Sequence, residues 1–534
     1  MSRHPPAAER ERTRRGGAHA ADALAAEPCA GAVRLPGPIA GRTWHARPDS
    51  ADAARFIAAN LDRLGSLPEA ARVKGNLVRT VYRVAAPGGR DLVVKHYHSR
   101  GLRDALKHLF VRHKARAEWR AALRMERCGI PVPRMLAIGR KSTGPFFRDA
   151  CLVMEAIPRS YPAGMYATEA WSRERRSDVI RGMGALAAKL HASGVFHPDF
   201  HGGNVLAAEN GHGSLDLYAI DLHAVRFPLR LGMRLRARSL AVLASALSSI
   251  IGDDRAREML RSYAQAAGLD GAAAADLWRR TARERRRYDR RLLDGRARRC
   301  LRSSSKFTRE RHGTMLIVRS RQFPLGQLLA AIGQDGPGES PGGIRVELWP
   351  MRGLLTRLRP SPARRAWLTL NTVATLGIPA PEGLGLVEDR RSKTCWLVTG
   401  PGPAMAPLAD ALARPAPAAD SGSLAAALAR TFARLHAAGV RHQGLAAGSI
   451  RAERRITGWA PGFSDVSAMA LAPELSEAER AGLLLELARL PEAGRLHCKL
   501  TFLRVYRSHE GCGLGRDSLR RLVEAGANHA PGRR

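Results

Sequence analysis

The sequence predicts an α+β fold in which two tandem copies of one bilobal unit follow each other, each with a small antiparallel sheet and then a mainly helical lobe. Three observations support this prediction. A stretch from about 72 to 97 alternates apolar and polar residues as strands do, helix-forming segments follow it, and blocks of the first half recur in the second half. The 534 residues are enough for several domains with cores of their own.

The first domain is predicted to begin after a segment with little structural signal. Residues 1 to about 50 are rich in proline, alanine and arginine and show little periodicity, so we expect this basic amino-terminal segment to be disordered. The domain itself is predicted over 51–297. Its sheet lobe covers about 70–157 and its helical lobe about 158–297.

Alternation and turn residues predict the sheet lobe. The segment "LVRTVYRV" alternates, "PGG" forms a turn, and "DLVVKHY" is β-branched and apolar, which together indicate three strands. The next segment, "LRDALKHLFVRHKARAEWRAALRMERCG", has apolar residues at helical spacing and ends at Gly129, where a helix would stop. "IPVPRMLAIG" and "ACLVMEAIP" are predicted as further strands.

The helical lobe begins with one clear amphipathic helix. "RERRSDVIRGMGALAAKLHASG" predicts this helix, which Gly194 closes, and the polar stretch "GVFHPDFHGGNVL" (194–206) follows directly. "LDLYAIDLHAV" predicts a short strand that ends at an aspartate, and helices are expected over most of 232–297. This order of elements is that of a bilobal protein-kinase-like fold.

An internal repeat predicts a second domain over 298–534. The block "ARAEWRAALRMERCGIPVP" (115–133) aligns without gaps with "ARRAWLTLNTVATLGIPAP" (363–381), so that the tryptophans and the Gly-Ile-Pro turns coincide. In a second block, His191 and His197 of the first half align with His436 and His442. Alanine-rich helices imitate one another easily, but not tryptophan, Gly-Ile-Pro and Leu-His together.

The charge balance suggests a polyanionic partner. The formal net charge is +39, and arginine, which supplies most of it, binds phosphate and carboxylate groups well. A GC-rich genome, which favours alanine, glycine and arginine codons, is an equally good explanation. No recognised motif with interleaved aromatic residues supports nucleic acid as the partner, so no nucleic-acid binding is expected.

Cysteine usage and hydropathy predict a cytoplasmic protein. The seven cysteines are scattered without CxxC spacing, which is typical of a reducing compartment. The basic start lacks the apolar core of a signal peptide, and the longest apolar stretch, "LAVLASALSSIIG" (240–252), reads as a buried helix. Any membrane contact is therefore expected to be peripheral.

The first half carries candidate residues for phosphoryl transfer in the order that a kinase fold requires. This chemistry needs a cradle for the triphosphate, cations against the developing charge, and a carboxylate that orients the acceptor hydroxyl. Lys95, at the end of "DLVVK", would pair with the α- and β-phosphates of ATP, and Glu118 would hold Lys95 through an ion pair. Asp199 would accept the proton of the substrate hydroxyl as the catalytic base.

Two further residues are candidate ligands of Mg²⁺. Asn204 follows Asp199 at the D-x-x-x-x-N spacing, and Asp221 ends the next predicted strand. The glycine-rich loop is weak, because this region contains only Gly75, so nucleotide contacts are expected from backbone amides near Gly75 and Asn76.

Each of these residues also has an ordinary structural explanation. A single lysine on a strand is usually solvated, and a single glutamate in an arginine-rich helix usually forms a surface ion pair. His197 is expected to brace the loop, and His201 either contacts phosphate or substrate or only shapes the turn. The combined order of Lys, Glu, Asp, Asn and Asp is much more specific than any one member.

The second half lacks most of this set. Under the ungapped alignment, Asp199 corresponds to Gly444, Asn204 to Ser449 and Glu118 to Ala366, and Glu347 most plausibly takes the place of Lys95. Only Asp221 has a match in the second half, and that match is Asp465 in "FSDVSAM". The second copy is therefore predicted to be a pseudokinase.

The motif "HPDFHGGNVL" followed by "IDLHAVRF" resembles the lipopolysaccharide kinase family, the Kdo and heptose kinases, and "EWRAALRMERCGIPVPRMLAIG" resembles the helix and strand of that family. The resemblance implies ATP and Mg²⁺ as cofactors, and an anionic, lipid-linked saccharide as the acceptor. It departs from many kinases at Pro198, where they carry arginine.

Alternatives stay open for both the reaction and the charge. An aminoglycoside- or choline-type kinase, a protein Ser/Thr/Tyr kinase, and a non-catalytic scaffold that binds an anionic partner are the rival functions. The arginine-rich segment 278–302 would either dock on the anionic surface of the inner membrane or be a solvated linker helix.

Overall fold

A computed structural model describes the greater part of the chain. The described residues are 32–76, 79–98, 114–143, 146–165, 171–211, 213–251, 253–334, 337–340, 342–351, 360–413, 418–445, 448–455, 458–489, 499–509 and 512–527. They form two compact units. Unit 1 comprises the described residues up to Pro162 together with Ala188–Asp199 and Gly203–Leu231, and unit 2 comprises Ala163–Ala187, Phe200–Gly202 and the described residues from Gly232 onwards.

The described residues of unit 1 include an antiparallel sheet of seven strands and two helices, and the elements from residue 70 onwards follow the predicted order. The strands are β1 (Val33–Arg34), β2 (Thr43–Ala46), β3 (Ala70–Asn76), β4 (Arg79–Ala86), β5 (Arg90–His98), β6 (Met135–Thr143) and β7 (Phe146–Glu155), and the helices are α1 (Ala51–Asn60) and α2 (Lys114–Arg127). The strands lie in the order β1-β2-β6-β7-β5-β4-β3. The α+β fold class and the three predicted strands before α2 are confirmed.

The expectation of disorder up to about residue 50 is wrong for residues 33–50. Strand β2 pairs with β6. Trp44 of β2 is completely buried in a hydrophobic cluster with Leu35 and with Ile57 of α1. Strand β2 has only two buried side chains, which is too few to give a recognisable alternation of apolar and polar residues. The surrounding prolines and arginines therefore favoured a prediction of disorder. Residues 1–31 lie outside the described residues.

Helix α2 buries one face against the sheet, and that face contains a carboxylate. Its buried positions, most of which lie on one side of the helix, are Ala115, Glu118, Trp119, Ala121, Ala122 and Met125. The chain leaves the helix at Gly129 in the left-handed conformation, with φ +66°, as the predicted stop requires. The first part of the predicted helix, up to residue 113, lies outside the described residues.

A second, three-stranded antiparallel sheet completes unit 1. Its strands are β8 (Ser160–Pro162), β9 (Val205–Glu209) and β10 (Leu215–Ala219), in the order β10-β9-β8. The predicted amphipathic helix is present as α3 (Arg173–Ala192), whose residues are shared between the two units. The polar stretch from 194 to 206 connects α3 to β9.

Unit 2 begins its own elements with three helices, as predicted for 232–297. These are α4 (Met233–Ile251), α5 (Asp253–Ala266) and α6 (Gly271–Arg299). Leu240, Leu243 and Leu247 of α4 are buried, which confirms the apolar stretch there as a core helix. In the part of the chain that the structure describes, no helix is both long and apolar enough to span a bilayer.

The remainder of unit 2 contains a six-stranded sheet, two small sheets and further helices. The strands are β11 (Phe307–His312), β12 (Met315–Ser320), β13 (Gly338–Glu339), β14 (Arg345–Pro350), β15 (Gly383–Asp389), β16 (Thr394–Thr399), β17 (Ala406–Pro407), β18 (Val440–His442), β19 (Ile450–Arg455), β20 (Gly458–Phe463) and β21 (Met469–Leu471). The helices are α7 (Leu325–Gln334), α8 (Pro362–Thr375), α9 (Leu408–Ala413), α10 (Ala418–Ala437), α11 (Glu477–Ala488), α12 (Lys499–Ser508) and α13 (Arg516–Ala527).

The six-stranded sheet of unit 2 has the strand order of six of the seven strands in the larger sheet of unit 1. The order β11-β12-β15-β16-β14-β13 corresponds to β1-β2-β6-β7-β5-β4. Along the chain, α8 lies between β14 and β15 as α2 lies between β5 and β6. Trp119 and Trp367 are both completely buried on the corresponding helices. Gly377, which follows α8, has the same positive φ of +66° as Gly129.

Candidate active site

A buried ion pair joins the third strand of the predicted sheet to helix α2. Lys95 Nζ lies 2.5 Å from Glu118 Oε1, and Tyr97 Oη donates a hydrogen bond of 2.9 Å to Glu118 Oε2. Lys95 and Tyr97 are two residues apart on β5 and therefore share one face of the sheet. Glu118 is only 1% exposed, so its carboxylate oxygens need partners within the protein. Lys95 and Tyr97 provide one partner for each oxygen.

The loop that follows α3 is held by hydrogen bonds among its own residues. The amide of Asn204 donates to the backbone oxygen of Asp199 at 2.9 Å and lies 3.4 Å from Asp199 Oδ2. The backbone N–H of Asp199 donates to Nδ1 of His197, which is completely buried. Asp199 itself is exposed. The loop therefore presents the Asp199 carboxylate to solvent while the residues on both sides hold its backbone.

Asp221 lies immediately after β10 and is tied to the same loop. The backbone N–H of Ile220 donates to the carbonyl of Asn204 at 2.9 Å, and Nε2 of His197 lies 3.5 Å from the Ile220 carbonyl. Asp221 adopts the left-handed conformation, with φ 59° and ψ 52°, which is uncommon for a residue other than glycine. Such strained residues cluster at functional sites.

The charges around Asp221 keep it ionised. Its Oδ1 accepts hydrogen bonds from Nη1 of Arg79 at 3.2 Å and from Nδ1 of His223 at 2.8 Å. Burial alone would raise the pKa of the Asp221 carboxyl, but the bond from His223 and the positive charges of Lys95 and Arg79 outweigh it and hold the pKa well below its usual range.

The structure thus brings the sequence-predicted residues of unit 1 into two contacting groups. Lys95 contacts Glu118 directly, Asp199 contacts Asn204, and Asp221 is linked to the first group by the charge of Lys95 and to the second through the backbone of Ile220. What each residue does in a reaction remains a prediction.

The predicted phosphate loop lies where the end of β3 pairs with the start of β4. Gly75, near the end of β3, pairs with Thr80, and the backbone of Asn76 is opposite Arg79 at the start of β4. Residues 77 and 78 lie outside the described residues. Nucleotide contacts from Gly75 and Asn76 stay a prediction, as does the role of His201.

Three residues of the site were not singled out from the sequence. Tyr97, Arg79 and His223 surround the Lys95–Glu118 pair and Asp221. Strand alternation places Tyr97 beside Lys95, and cross-strand register places Arg79 opposite Tyr97, so the sequence held a signal for these two residues. His223 lies two residues after Asp221 in the segment "IDLH", which carries the family resemblance but assigns this histidine no role.

The donor atoms of Asn204 and Asp221 fit Mg²⁺. The Asn204 nitrogen is engaged by Asp199, so the amide oxygen is the atom that would bind a cation, and Asp221 adds an ionised carboxylate. Within the described ranges, no group of three or more histidine, cysteine, aspartate or glutamate side chains is arranged to hold a metal ion. Mg²⁺ is usually held by one or two such protein ligands together with substrate phosphates.

The corresponding position of unit 2 has a different charge. Arg345 Nη1 lies 3.1 Å from Asp465 Oδ2 and Arg345 Nε lies 3.4 Å from Glu347 Oε1. Burial and the nearby Asp465 raise the pKa of Glu347 in spite of Arg345. The backbone link is kept, because Ser464 N donates to the Ser449 carbonyl at 2.9 Å as Ile220 does to Asn204. Two carboxylates thus face one arginine here.

Comparison with known proteins gives a match over the first half of the chain. Residues 63–263, which contain the whole site of unit 1, match the family described as "Lipopolysaccharide kinase (Kdo/WaaP) family". This segment is similar to that family and is referred to as the lipopolysaccharide kinase segment. The match indicates a kinase that transfers phosphate to a sugar hydroxyl, and it confirms the resemblance inferred from "HPDFHGGNVL" and "IDLH".

A solved structure described as "WaaP in complex with acyl carrier protein" is similar to this chain with 18% sequence identity and a TM-score of 0.31, and the match covers 42% of this chain and 91% of that chain. No curated protein matches the sequence.

Proposed function

We propose that the lipopolysaccharide kinase segment transfers the γ-phosphate of ATP to a hydroxyl of an anionic, lipid-linked saccharide, with Asp199 as the base. The observation that carries this proposal is the contact of Lys95 with Glu118 beside an ionised Asp221, in the unit that also contains Asp199 and Asn204. A buried ion pair contributes little to stability by itself, so its position beside these carboxylates favours a role in binding phosphate.

The reaction assigns one task to each side chain. Lys95 holds the α- and β-phosphates, and Glu118 and Tyr97 fix its ammonium group in position. Asp199 orients the acceptor hydroxyl and accepts its proton as the new O–P bond forms and the bond from the γ-phosphorus to the bridging oxygen breaks. Asn204 and Asp221 would hold Mg²⁺, which neutralises charge on the phosphates when it is bound.

We also propose that residues 298–534 form a kinase-like domain without kinase activity. The shared strand order, the paired buried tryptophans and the repeated backbone links support this. Glu347 places a carboxylate near Asp465, in the arrangement in which Lys95 lies near Asp221. A carboxylate there repels phosphate, and Gly444 and Ser449 remove the base and one metal ligand.

We further propose that the protein works at the cytoplasmic face of the inner membrane, with helix α6 in contact with anionic lipid. Arginines recur along its exposed side at helical spacing, at positions 279, 280, 283, 286, 287, 290 and 291. The buried side carries Leu277 and Thr281. Basic side chains attract anionic lipid surfaces by about 1 kcal/mol each.

Phosphate transfer to defined acceptors tests the kinase proposal. Purified protein with labelled ATP and Mg²⁺ is offered a Kdo-containing lipid acceptor, an aminoglycoside, choline and a generic protein substrate. Transfer to the lipid acceptor is expected, and transfer only to one of the others would replace the proposed substrate with that class. The absence of transfer to any of them would favour the scaffold function.

Asp199→Asn tests the base. This variant should bind Mg²⁺ and ATP like the wild type and lose about 10²- to 10⁴-fold in turnover, the usual contribution of a general base. Asp216→Asn, which changes an exposed aspartate on β10, is the matched control and should keep full turnover. Equal turnover of Asp199→Asn and the wild type would show that the base is another residue.

A further inference from the structure

Arg79 occupies the position in unit 1 where a phosphate loop would end. It is the first residue of β4, directly after the β3–β4 hairpin, and its backbone is paired with that of Tyr97 on β5. The hairpin contains a single glycine, Gly75, instead of the glycine-rich sequence that lets backbone amides approach phosphates closely. The cation at this position is therefore well placed to compensate for missing amide contacts.

The side chain of Arg79 is fixed by the residues of the site. Nη1 lies 3.2 Å from Asp221 Oδ1, and Cζ lies 6.0 Å from the ring centre of Tyr97, whose hydroxyl group is bonded to Glu118. The side chain is only 19% exposed. Arg79 thus belongs to the same cluster as Lys95, and its guanidinium has little conformational freedom left to lose when a ligand binds.

We propose that Arg79 binds the phosphate groups of the nucleotide, as a second cation beside Lys95; this inference rests on the kinase activity proposed above. A phosphate oxygen that shares a metal ion with Asp221 has to lie beside the Asp221 carboxylate. This phosphate oxygen is then within reach of the Arg79 guanidinium, which already contacts the Asp221 carboxylate. Guanidinium carries five N–H donors in a planar fork that matches phosphate.

Strand β4 carries a second arginine, Arg83, whose ion pair lies away from Lys95 and Asp221. Arg83 lies four residues further along β4 and also pairs with a carboxylate, that of Asp91. Its side chain is 52% exposed and its partner lies on the neighbouring strand, away from the residues of the site. Arg83 is therefore a matched control: the same residue type, the same strand and a similar ion pair, without the neighbouring Lys95 and Asp221.

Unit 2 has an arginine against the corresponding aspartate but lacks the second cation. Arg345 is shared between the carboxylates of Asp465 and Glu347. In unit 1, Asp221 contacts Arg79 and Glu118 contacts Lys95, so that two cations stand against two carboxylates. The difference predicts that phosphate binding by this kind of arginine is confined to unit 1.

Nucleotide binding by full-length variants tests the proposal. Dissociation constants of ATP, ADP and adenosine are measured by calorimetry with Mg²⁺ for the wild type, Arg79→Ala, Arg79→Lys and Arg83→Ala. Loss of a hydrogen bond between charged groups corresponds to roughly a tenfold to hundredfold change in affinity. We expect Arg79→Ala to lose affinity for ATP and ADP by this factor and none for adenosine, Arg79→Lys to be intermediate, and Arg83→Ala to match the wild type.

Two results would overturn the proposal. One is an unchanged affinity of Arg79→Ala for ATP; the other is an equal loss for ATP and adenosine, which would show a purely structural effect. If Arg79→Ala does not fold, as judged by its thermal unfolding, Arg79→Gln replaces it, since an amide can still donate to Asp221. A wild-type protein that binds no ATP would refute the proposed kinase activity itself, whereas wild-type binding with unchanged Arg79 variants would refute only the inference about Arg79.

Discussion

Lys95 Nζ and Glu118 Oε1 lie 2.5 Å apart although 23 residues separate them in the chain, and both side chains are buried. Removing two charges from water is unfavourable, and their mutual attraction offsets that loss only when the remaining polar atoms are also satisfied. Tyr97 satisfies the second oxygen of Glu118. A pair of this kind is therefore sensitive to the loss of either partner.

The buried pair gives a prediction about stability. Glu118→Ala should lower the free energy of unfolding by about 3–5 kcal/mol, because it leaves the Lys95 ammonium buried without its partner. Glu118→Gln should cost less, since an amide oxygen still accepts a hydrogen bond from Tyr97 or Lys95. Urea unfolding followed by tryptophan fluorescence measures both.

Helix α2 offers a control for this experiment. Glu126→Ala changes an exposed glutamate of the same helix, which pairs with Arg47, and should cost less than about 1 kcal/mol. Equal losses for Glu118→Ala and Glu126→Ala would show that burial of the Lys95–Glu118 pair has no special weight.

Asp221 gives a prediction about pH. Its pKa is lower in the folded protein than in the unfolded chain, so the folded state binds fewer protons and the contribution to stability is fully present above about pH 4. It is lost as pH falls further, towards the folded pKa. Asp221→Asn should therefore lower the free energy of unfolding by about 1–3 kcal/mol at pH 7 and by less at pH 3.

The readout for Asp221 is the urea midpoint at both pH values, with Asp216→Asn as the exposed control on β10. A difference between Asp221→Asn and the wild type that is larger at pH 3 than at pH 7 would contradict the assigned direction of the shift.

A buried hydrogen-bonded chain in unit 2 predicts a loss of stability in acid. Tyr506 Oη lies 2.7 Å from His436 Nδ1, and His436 Nε2 lies 3.1 Å from His442 Nε2. Burial lowers the pKa of His436 to about 3 and that of His442 to about 4. Both rings are therefore neutral at pH 7, and their contribution is fully present above about pH 6.5.

Below pH 6.5 the unfolded chain binds protons that the folded protein excludes, so stability falls towards the folded pKa values. The slope should reach about 1.4 kcal/mol per pH unit for each histidine. Thermal unfolding between pH 7.5 and 5 measures it. His442→Gln should flatten this pH dependence, and His312→Gln, at an exposed position, should leave it as in the wild type. A wild-type midpoint that is constant over this range would disprove the prediction.

The exposed arginines of α6 give a prediction about membranes. The triple substitution of Arg283, Arg287 and Arg290 by glutamine should weaken binding to phosphatidylglycerol vesicles by about 100-fold at low salt, from about 1 kcal/mol for each charge. Wild-type binding should itself decline as salt is raised, because ions screen the attraction. Vesicle co-sedimentation measures both effects.

A control for the vesicle experiment lies on α13. Arg520→Gln changes an arginine that is 81% exposed and should reduce vesicle binding no more than any single surface charge. Equal binding of the wild type to phosphatidylglycerol and phosphatidylcholine vesicles would assign the arginine excess to codon usage and not to a membrane.

The sequence by itself determined those parts of the protein that short patterns specify. Alternation predicted β4 and β5, and helical spacing predicted α3 and α4. The D-x-x-x-x-N spacing identified Asp199 and Asn204 as candidate site residues, and the two contact each other in the structure. The family resemblance also followed from a contiguous motif.

The tertiary structure alone decided the contacts between distant segments. Arg79 meets Asp221 across 142 residues, and β2 joins the sheet through a partner nearly a hundred residues away. Such contacts depend on how whole strands and helices pack, and a local pattern carries no information about which distant surface an arginine or a short strand will meet. For this reason the contact of Arg79 with Asp221 and the strands before residue 50 became visible only in the fold.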